Sequence, residues 1–256
     1  MTISYFKFPV LLLLFVANVC FAQKSASEDF RFLERTEAIK INLNKGAFNI
    51  VKSIHEKGEY LTANNLYYAN EVLHFDSFTE VKDIEATTYL PASGKTLEVD
   101  YIETKHEFDD GIFYSDQQTK NFTFPGVTKG AITNLKYKEV STEPHFLGLF
   151  RFGTYAPTQK AILRIEFPKN VEIGYREFHT ENIKINFKKE ETKNSNVYTW
   201  TTENVAKFTS EDDAEAALYH LPHIILHIKN YTEKGKTIPV LNNVKDLYSW
   251  YASLAK

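Results

Sequence analysis

Apolar and polar side chains alternate along this chain in short runs, and few stretches keep a helical period. In Ala161-Ile162-Leu163-Arg164-Ile165-Glu166-Phe167, the residues Ala161, Leu163, Ile165 and Phe167 share one face, while Arg164 and Glu166 lie opposite with Ile162. Val171, Ile173 and Tyr175 repeat the pattern, as does Ile183-Lys184-Ile185-Asn186-Phe187-Lys188. Strands with one wet face predict antiparallel sheets. Ile84, Ala86, Thr88 and Leu90 share a face before the turn-forming Pro91-Ala92-Ser93-Gly94-Lys95, and Leu97, Val99 and Tyr101 resume alternation, which predicts a hairpin. Asp109-Asp110-Gly111, Gly126 with Gly130, and Glu233-Lys234-Gly235-Lys236 mark further turns. The pattern predicts a mainly β fold, an antiparallel sandwich or two packed sandwiches.

Two segments depart from this period and predict short helices. Ser210-Glu211-Asp212-Asp213 resembles a capping box ahead of Ala214 to Tyr219, with Pro222 as the stop, so a helix is expected near 211–219. The second is expected over 244–254, capped by Asn243. Its Val244, Leu247, Tyr248, Tyr251 and Leu254 fall on one face that needs an apolar surface to lie against.

The first residues are of another kind. Lys7 is the sole charge ahead of an apolar run from Phe8 to Val16, and Cys20-Phe21-Ala22 ends on small side chains, which predicts a signal peptide over 1–22 cut between Ala22 and Gln23. Val19 sits where lipoprotein processing at Cys20 would want a small residue, so lipidation is not expected. The apolar run is also shorter than the roughly 20 residues that span a bilayer. The expected compartment is periplasmic or extracellular. Loss of Lys7 leaves 29 basic and 33 acidic side chains, a net charge of −4 without basic clusters, which argues against a nucleic-acid partner. Cys20 is the only cysteine, so the mature chain has neither a disulfide nor a thiol nucleophile. Its stability must come from core burial.

Candidate chemistry is sparse. His223 and His227 could ligate a metal, but on a strand they are about 13 Å apart along the chain, and no His-Glu-x-x-His pattern is present. Packed or exposed histidines are the alternative. No Gly-x-Ser-x-Gly elbow, glycine-rich phosphate loop or calcium loop occurs, and no cofactor is implied. A pair of carboxylates of the glycosidase kind cannot be picked out from linear order. Trp200, in Val197-Tyr198-Thr199-Trp200-Thr201, is a candidate stacking surface for sugars or peptide side chains, against the alternative of a core tryptophan. Tyr248 and Tyr251 are candidates for contact with a partner.

One ordered set of motifs resembles a known family. Asn121-Phe122-Thr123-Phe124-Pro125-Gly126-Val127-Thr128-Lys129-Gly130-Ala131-Ile132 continues through Leu135-Lys136-Tyr137. It is preceded by the hairpin from Tyr89-Leu90-Pro91 to Gly94-Lys95, and followed by Ala156-Pro157, Phe167-Pro168 and Tyr198-Thr199-Trp200 with Asn204-Val205. In this order they resemble the DUF3857 family. The resemblance implies an exported bacterial all-β module over 23–242, commonly placed just before a transglutaminase-like domain and without established catalytic residues. Leu247-Tyr248-Ser249-Trp250-Tyr251, in the segment 243–256, resembles the helix that leads into such a domain, whose cysteine, histidine and aspartate motifs have no match here.

The expected function is therefore a non-catalytic exported module that binds or positions a protein, peptide or cell-envelope polymer, in service of a transglutaminase-like enzyme. The alternatives are a carboxylate-based envelope hydrolase and a carbohydrate-binding module with an aromatic platform.

Overall fold

The computed structural model describes residues 28–63, 66–107, 115–209 and 215–254. The expected leader with its Ala22–Gln23 cleavage point and the Asp109-Asp110-Gly111 turn lie outside these residues. In chain order the strands are β1 (Phe30–Asn44), β2 (Ala47–Tyr60), β3 (Asn70–Phe75), β4 (Thr79–Leu90), β5 (Lys95–Glu98), β6 (Glu103–His106), β7 (Gln118–Thr123) and β8 (Ile132–Ser141). There follow β9 (Gly148–Arg151), β10 (Thr158–Pro168), β11 (Val171–Phe178), β12 (Asn186–Glu191), β13 (Ser195–Val205), β14 (His223–Glu233), β15 (Lys236–Pro239) and the helix α1 (Val244–Leu254).

An eight-stranded sheet in the order β12-β13-β10-β1-β2-β8-β4-β5 forms the floor. Residues directly opposite on adjacent strands point to the same side, so the register identifies its inner face. That face carries Ala161, Arg35, Glu56 and Leu135 in one row across four strands, and Leu163, Glu37, Ile54 and Tyr137 in the next. Two small sheets cover it. One, of β11, β14, β15 and β9, closes over Ile39, Ile41, Ile50, Leu163, Ile165 and Trp200. The other, β3-β7-β6, closes over Val81, Ala86 and Leu135 with Leu73, Phe122 and Phe124. The expectation of one or two sandwiches resolves into two that share a floor.

The 161–167 run lies on β10 with all four named residues buried, and the expected hairpin is β4–β5, whose second strand ends at Glu98, before Val99 and Tyr101. Gly126 and Gly130 adopt positive φ, and Lys234-Gly235, with φ of 49° and 76°, make the tight turn between β14 and β15.

Four expectations need correction. The pairing of β1 with β10 is parallel, because more than a hundred residues separate the two strands and no hairpin constrains their direction. The strand expected over 183–188 begins only at Asn186. Ile183 and Ile185 precede it in a turn and an extended segment, and their apolar character reflects packing on the larger core. The helix expected near 211–219 is, in its described part, one 3-10 turn at Ala217–Tyr219, since Ala216 (φ −53°, ψ 136°) is extended and cannot carry a helix into it. The expected helix α1 forms, with Asn243 capping the amide of Lys245, but its predicted apolar face does not lie on the sandwich. Val244, Tyr248, Tyr251 and Leu254 are exposed, and contact runs instead through Trp250, which stacks on His145 at 4.8 Å and meets Phe146 edge-on at 5.1 Å.

The longest strands, β1 and β2, are absent from the sequence expectations. A bulge between Phe32 and Glu34 is one cause: before it Phe30 and Phe32 face inward, and after it Arg35, Glu37 and Ile39 do, so no single alternation runs through β1. Gly58 lies where a Cβ would stand 2.2 Å from the Phe30 ring, so glycine is required for that ring to pack.

Candidate functional site

Between the two covers, the inner face of the floor is charged. Arg35, Glu37, Lys52, Glu56 and Glu139 occupy it on β1, β2 and β8, with Tyr137 beside them. From above, β3 presents Glu71 on the same side as Leu73 and Phe75, which pack down into the smaller core. A polar seam thus divides two apolar cores on one face.

The seam is internally paired in part. Arg35 Nε donates to Glu56 Oε1 at 2.8 Å and its Nη1 donates to the Arg151 carbonyl at 3.0 Å, while the guanidinium lies 5.2 Å from the Phe32 ring centroid and 5.9 Å from that of Phe150. Lys52 pairs with Glu139 at 3.5 Å. Glu37 and Glu71 have no ion-pair or hydrogen-bond partner among the described residues. Burial, opposed mainly by Lys52, pushes the Glu37 carboxyl up to about 7. Burial also raises Glu71 to about 8, with Glu56 adding to the rise more than Arg35 subtracts from it. The Tyr137 and Tyr60 hydroxyls are raised for the same first reason, with nearby glutamates second.

At one end the seam opens into a groove of about 570 Å³ lined by Phe32, Arg35, Glu56, Tyr67, Tyr68, Asn70, Glu71, Val72, Thr154 and Tyr155. Tyr67 and Tyr68 come from a 3-10 turn just before β3, and their rings meet at 88° with centroids 5.1 Å apart, forming an aromatic corner. Tyr68 is fixed from behind by stacking on Phe30 at 4.2 Å. Tyr67 and Tyr155 are 75% and 51% exposed, so much of each side chain is at the surface of the groove. At the other end, His74, Phe75, Asp76, Thr79, Gln117 and Glu139 line a smaller cavity of about 160 Å³. The larger groove combines apolar walls, a few converging polar groups and a carboxyl with a displaced pKa, the usual composition of a ligand site.

None of the candidates picked from sequence lies in it. Trp200 is completely buried, between Phe187 (stacked, 4.7 Å) and Tyr175 (5.0 Å), with its indole N–H donating to Glu177 at 3.1 Å. It is a core residue, and no sugar can stack on it. His223 is also buried, stacked on Phe178 at 4.9 Å, with Nδ1 2.8 Å from the Leu221 carbonyl. His227 lies against Gly174, where a Cβ would come within 2.3 Å of its ring, and burial lowers its pKa. Among the described residues, no group of three or more His, Cys, Asp or Glu is arranged to hold a metal. Tyr248 and Tyr251 are exposed on α1 and do not line the groove.

The groove residues escaped sequence reading because they come from four separated stretches and carry no motif. The one local signal was Glu71, which stands at an inward position of the run Glu71-Val72-Leu73-His74-Phe75.

Among solved structures, the chain is similar to a presumed protease from Parabacteroides distasonis, at 15% identity and a TM-score of 0.62, over 77% of this chain and 40% of that one. It is also similar to an M1 zinc metallopeptidase from Deinococcus radiodurans, at 11% identity and a TM-score of 0.40, over 82% of this chain and 46% of that one. At these identities the first likeness concerns the fold alone, and the chain spans less than half the length of either protein. No curated protein is significantly similar in sequence. The model of the family described as a domain of unknown function with solved structure, DUF3857, matches residues 57–209, from the end of β2 past β13. The floor and the larger cover extend beyond the matched span on both sides, with β1 before it and β14 and β15 after it. With more than half of its residues matched, the chain belongs to the DUF3857 family.

Proposed function

We propose that this chain is a non-catalytic exported module that binds or positions a protein, peptide or cell-envelope polymer through the groove at the end of the polar seam, and does so in service of a transglutaminase-like enzyme. The groove carries this reading: exposed Tyr67 and Tyr155 with half-buried Tyr68 offer stacking faces beside polar groups held in place by the floor. Export rests on the leader over 1–22 with cleavage after Ala22. The test is retention of the chain on immobilised peptides and on envelope polymer. A Tyr67→Ala/Tyr155→Ala variant should lose at least tenfold in retention with an unchanged urea midpoint; equal retention by both proteins would reject the groove.

The second reading, a carboxylate-based hydrolase, draws on Glu71. A carboxyl raised to about 8 is protonated at neutral pH and suits a general acid, with Glu56 nearby as its counterpart. Glu56 is already engaged by Arg35, which weakens it as a base. Turnover of an envelope substrate that Glu71→Gln abolishes would decide for the enzyme.

A further inference from the structure

Glu71 faces the groove without a hydrogen-bond or ion-pair partner among the described residues, whereas Arg35 and Glu56 there neutralise each other. Arg35 is satisfied by Glu56 and the Arg151 carbonyl, and lies against Phe32 and Phe150. An incoming cation therefore meets a neutral ion pair and one free carboxyl, next to an aromatic corner made by Tyr67 and Tyr68 and the open ring of Tyr155. Aromatic faces at right angles beside a carboxylate are the surroundings that hold an ammonium or guanidinium group. A neutral ligand would leave that carboxyl holding its proton, whereas a cation can take the proton's place.

We propose that the groove receives a protonated amine or guanidinium on an extended peptide, with the Glu71 carboxylate as its counter-ion and Tyr67, Tyr68 and Tyr155 as its walls. The inference rests on the groove being the binding site, and it adds the charge of the ligand. It also makes binding a proton-releasing event. The groups around Glu71 are Arg35 from β1, Glu56 and Tyr60 from β2, Tyr137 from β8, and Tyr67 and Tyr68 from the preceding turn, while Lys120 on β7 is turned to the Phe75 ring. With the free carboxyl titrating near 8, a cation must displace its proton at lower pH, so affinity rises with pH. The rise should be roughly tenfold per pH unit from about 6 to 8 and then level off, since lysine amines stay protonated to about 10.

The experiment is calorimetric titration of the full chain with hexalysine and with its fully Nε-acetylated counterpart, at constant ionic strength across this pH range. Hexalysine should bind with the stated slope, and the acetylated peptide at least tenfold more weakly at pH 8. Glu71→Gln should abolish the slope, whereas Glu98→Gln, which removes an equal charge from the exposed edge strand β5, should keep it. Tyr67→Ala should weaken binding several-fold without changing the slope. Equal binding of both peptides, lost in the Tyr67→Ala/Tyr155→Ala variant, would overturn the cation and leave the groove standing. Binding that Glu71→Gln and Glu98→Gln reduce alike, with no loss in the tyrosine variants, would overturn both. Absence of hexalysine binding would overturn the cation, and the groove would then stand or fall on the retention of unmodified peptides.

Discussion

The two halves of the floor are closed by unlike means. Over β13, β10 and β1 the cover is continuous and apolar, with Trp200, Leu163, Ile165, Phe152 and Ile224 fully buried and the Trp200 N–H satisfied by Glu177. Over β8 and β4 the smaller cover rests on fewer residues, Leu73, Phe122 and Phe124 above Val81, Ala86 and Leu135, and its border with the larger one is lined by Arg35, Glu37, Lys52, Glu56, Glu71 and Glu139. A β-sheet face can be sealed with apolar side chains along its whole length, and here that apolar packing is interrupted at the border between the two covers. Stability is concentrated on one side of the molecule, and the polar groups that can meet a ligand are collected where the two covers fail to merge.

The largest loss of stability is expected at Trp200. Trp200→Ala leaves a large void between Tyr175 and Phe187, and should cost about 3–5 kcal/mol in urea denaturation. The seam is tested next through pH. Glu37 is raised from 4.5 to about 7 in the folded chain, so the folded state holds a proton that the unfolded chain gives up. Its contribution is fully present below pH 4.5 and is lost as pH rises through 7, a fall in stability of about 3 kcal/mol. Glu71 extends the fall to about 8. Glu37→Gln should remove its part and leave the variant more stable than the parent at pH 8; a parent whose stability is flat from pH 5 to 8 would show that the seam carboxyls are ionised. Leu73→Ala, in the smaller core, should cost about 2 kcal/mol, at the low end for leucine because the seam lets the cover relax. Removing residues 243–256 should change stability least, by less than about 1 kcal/mol in urea denaturation, since α1 has no buried residue and touches the sandwich through Trp250 alone among its aromatic contacts. Global unfolding of that deletion would make the helix part of the fold.

Strands with one uniform alternation were legible in the sequence. β10, with Ala161, Leu163, Ile165 and Phe167 inward, and the β4–β5 hairpin could be read directly, because period-two burial needs only local spacing. β1 could not, since its bulge exchanges even for odd positions at the inner face. The candidate site was illegible for a related reason. Arg35 and Glu56 are brought opposite each other by the β1–β2 hairpin, and Glu71 reaches them only once the β3-β7-β6 sheet is laid on the floor. Trp200 shows the converse: a residue type common at binding surfaces went to the core, because its neighbours on β12 and β11 supply the rings and the acceptor that bury it.

The β class, the antiparallel habit of most pairs, the terminal helix and the family were all set by the order and period of neighbouring residues. Long-range packing alone made two small sheets share one floor, set one strand pair parallel, and brought Glu71, without a partner among the described residues, beside an aromatic corner. Those features depend on which distant strands become neighbours, and side chains that no local spacing connects acquire their partners, their burial and their proton affinity only there.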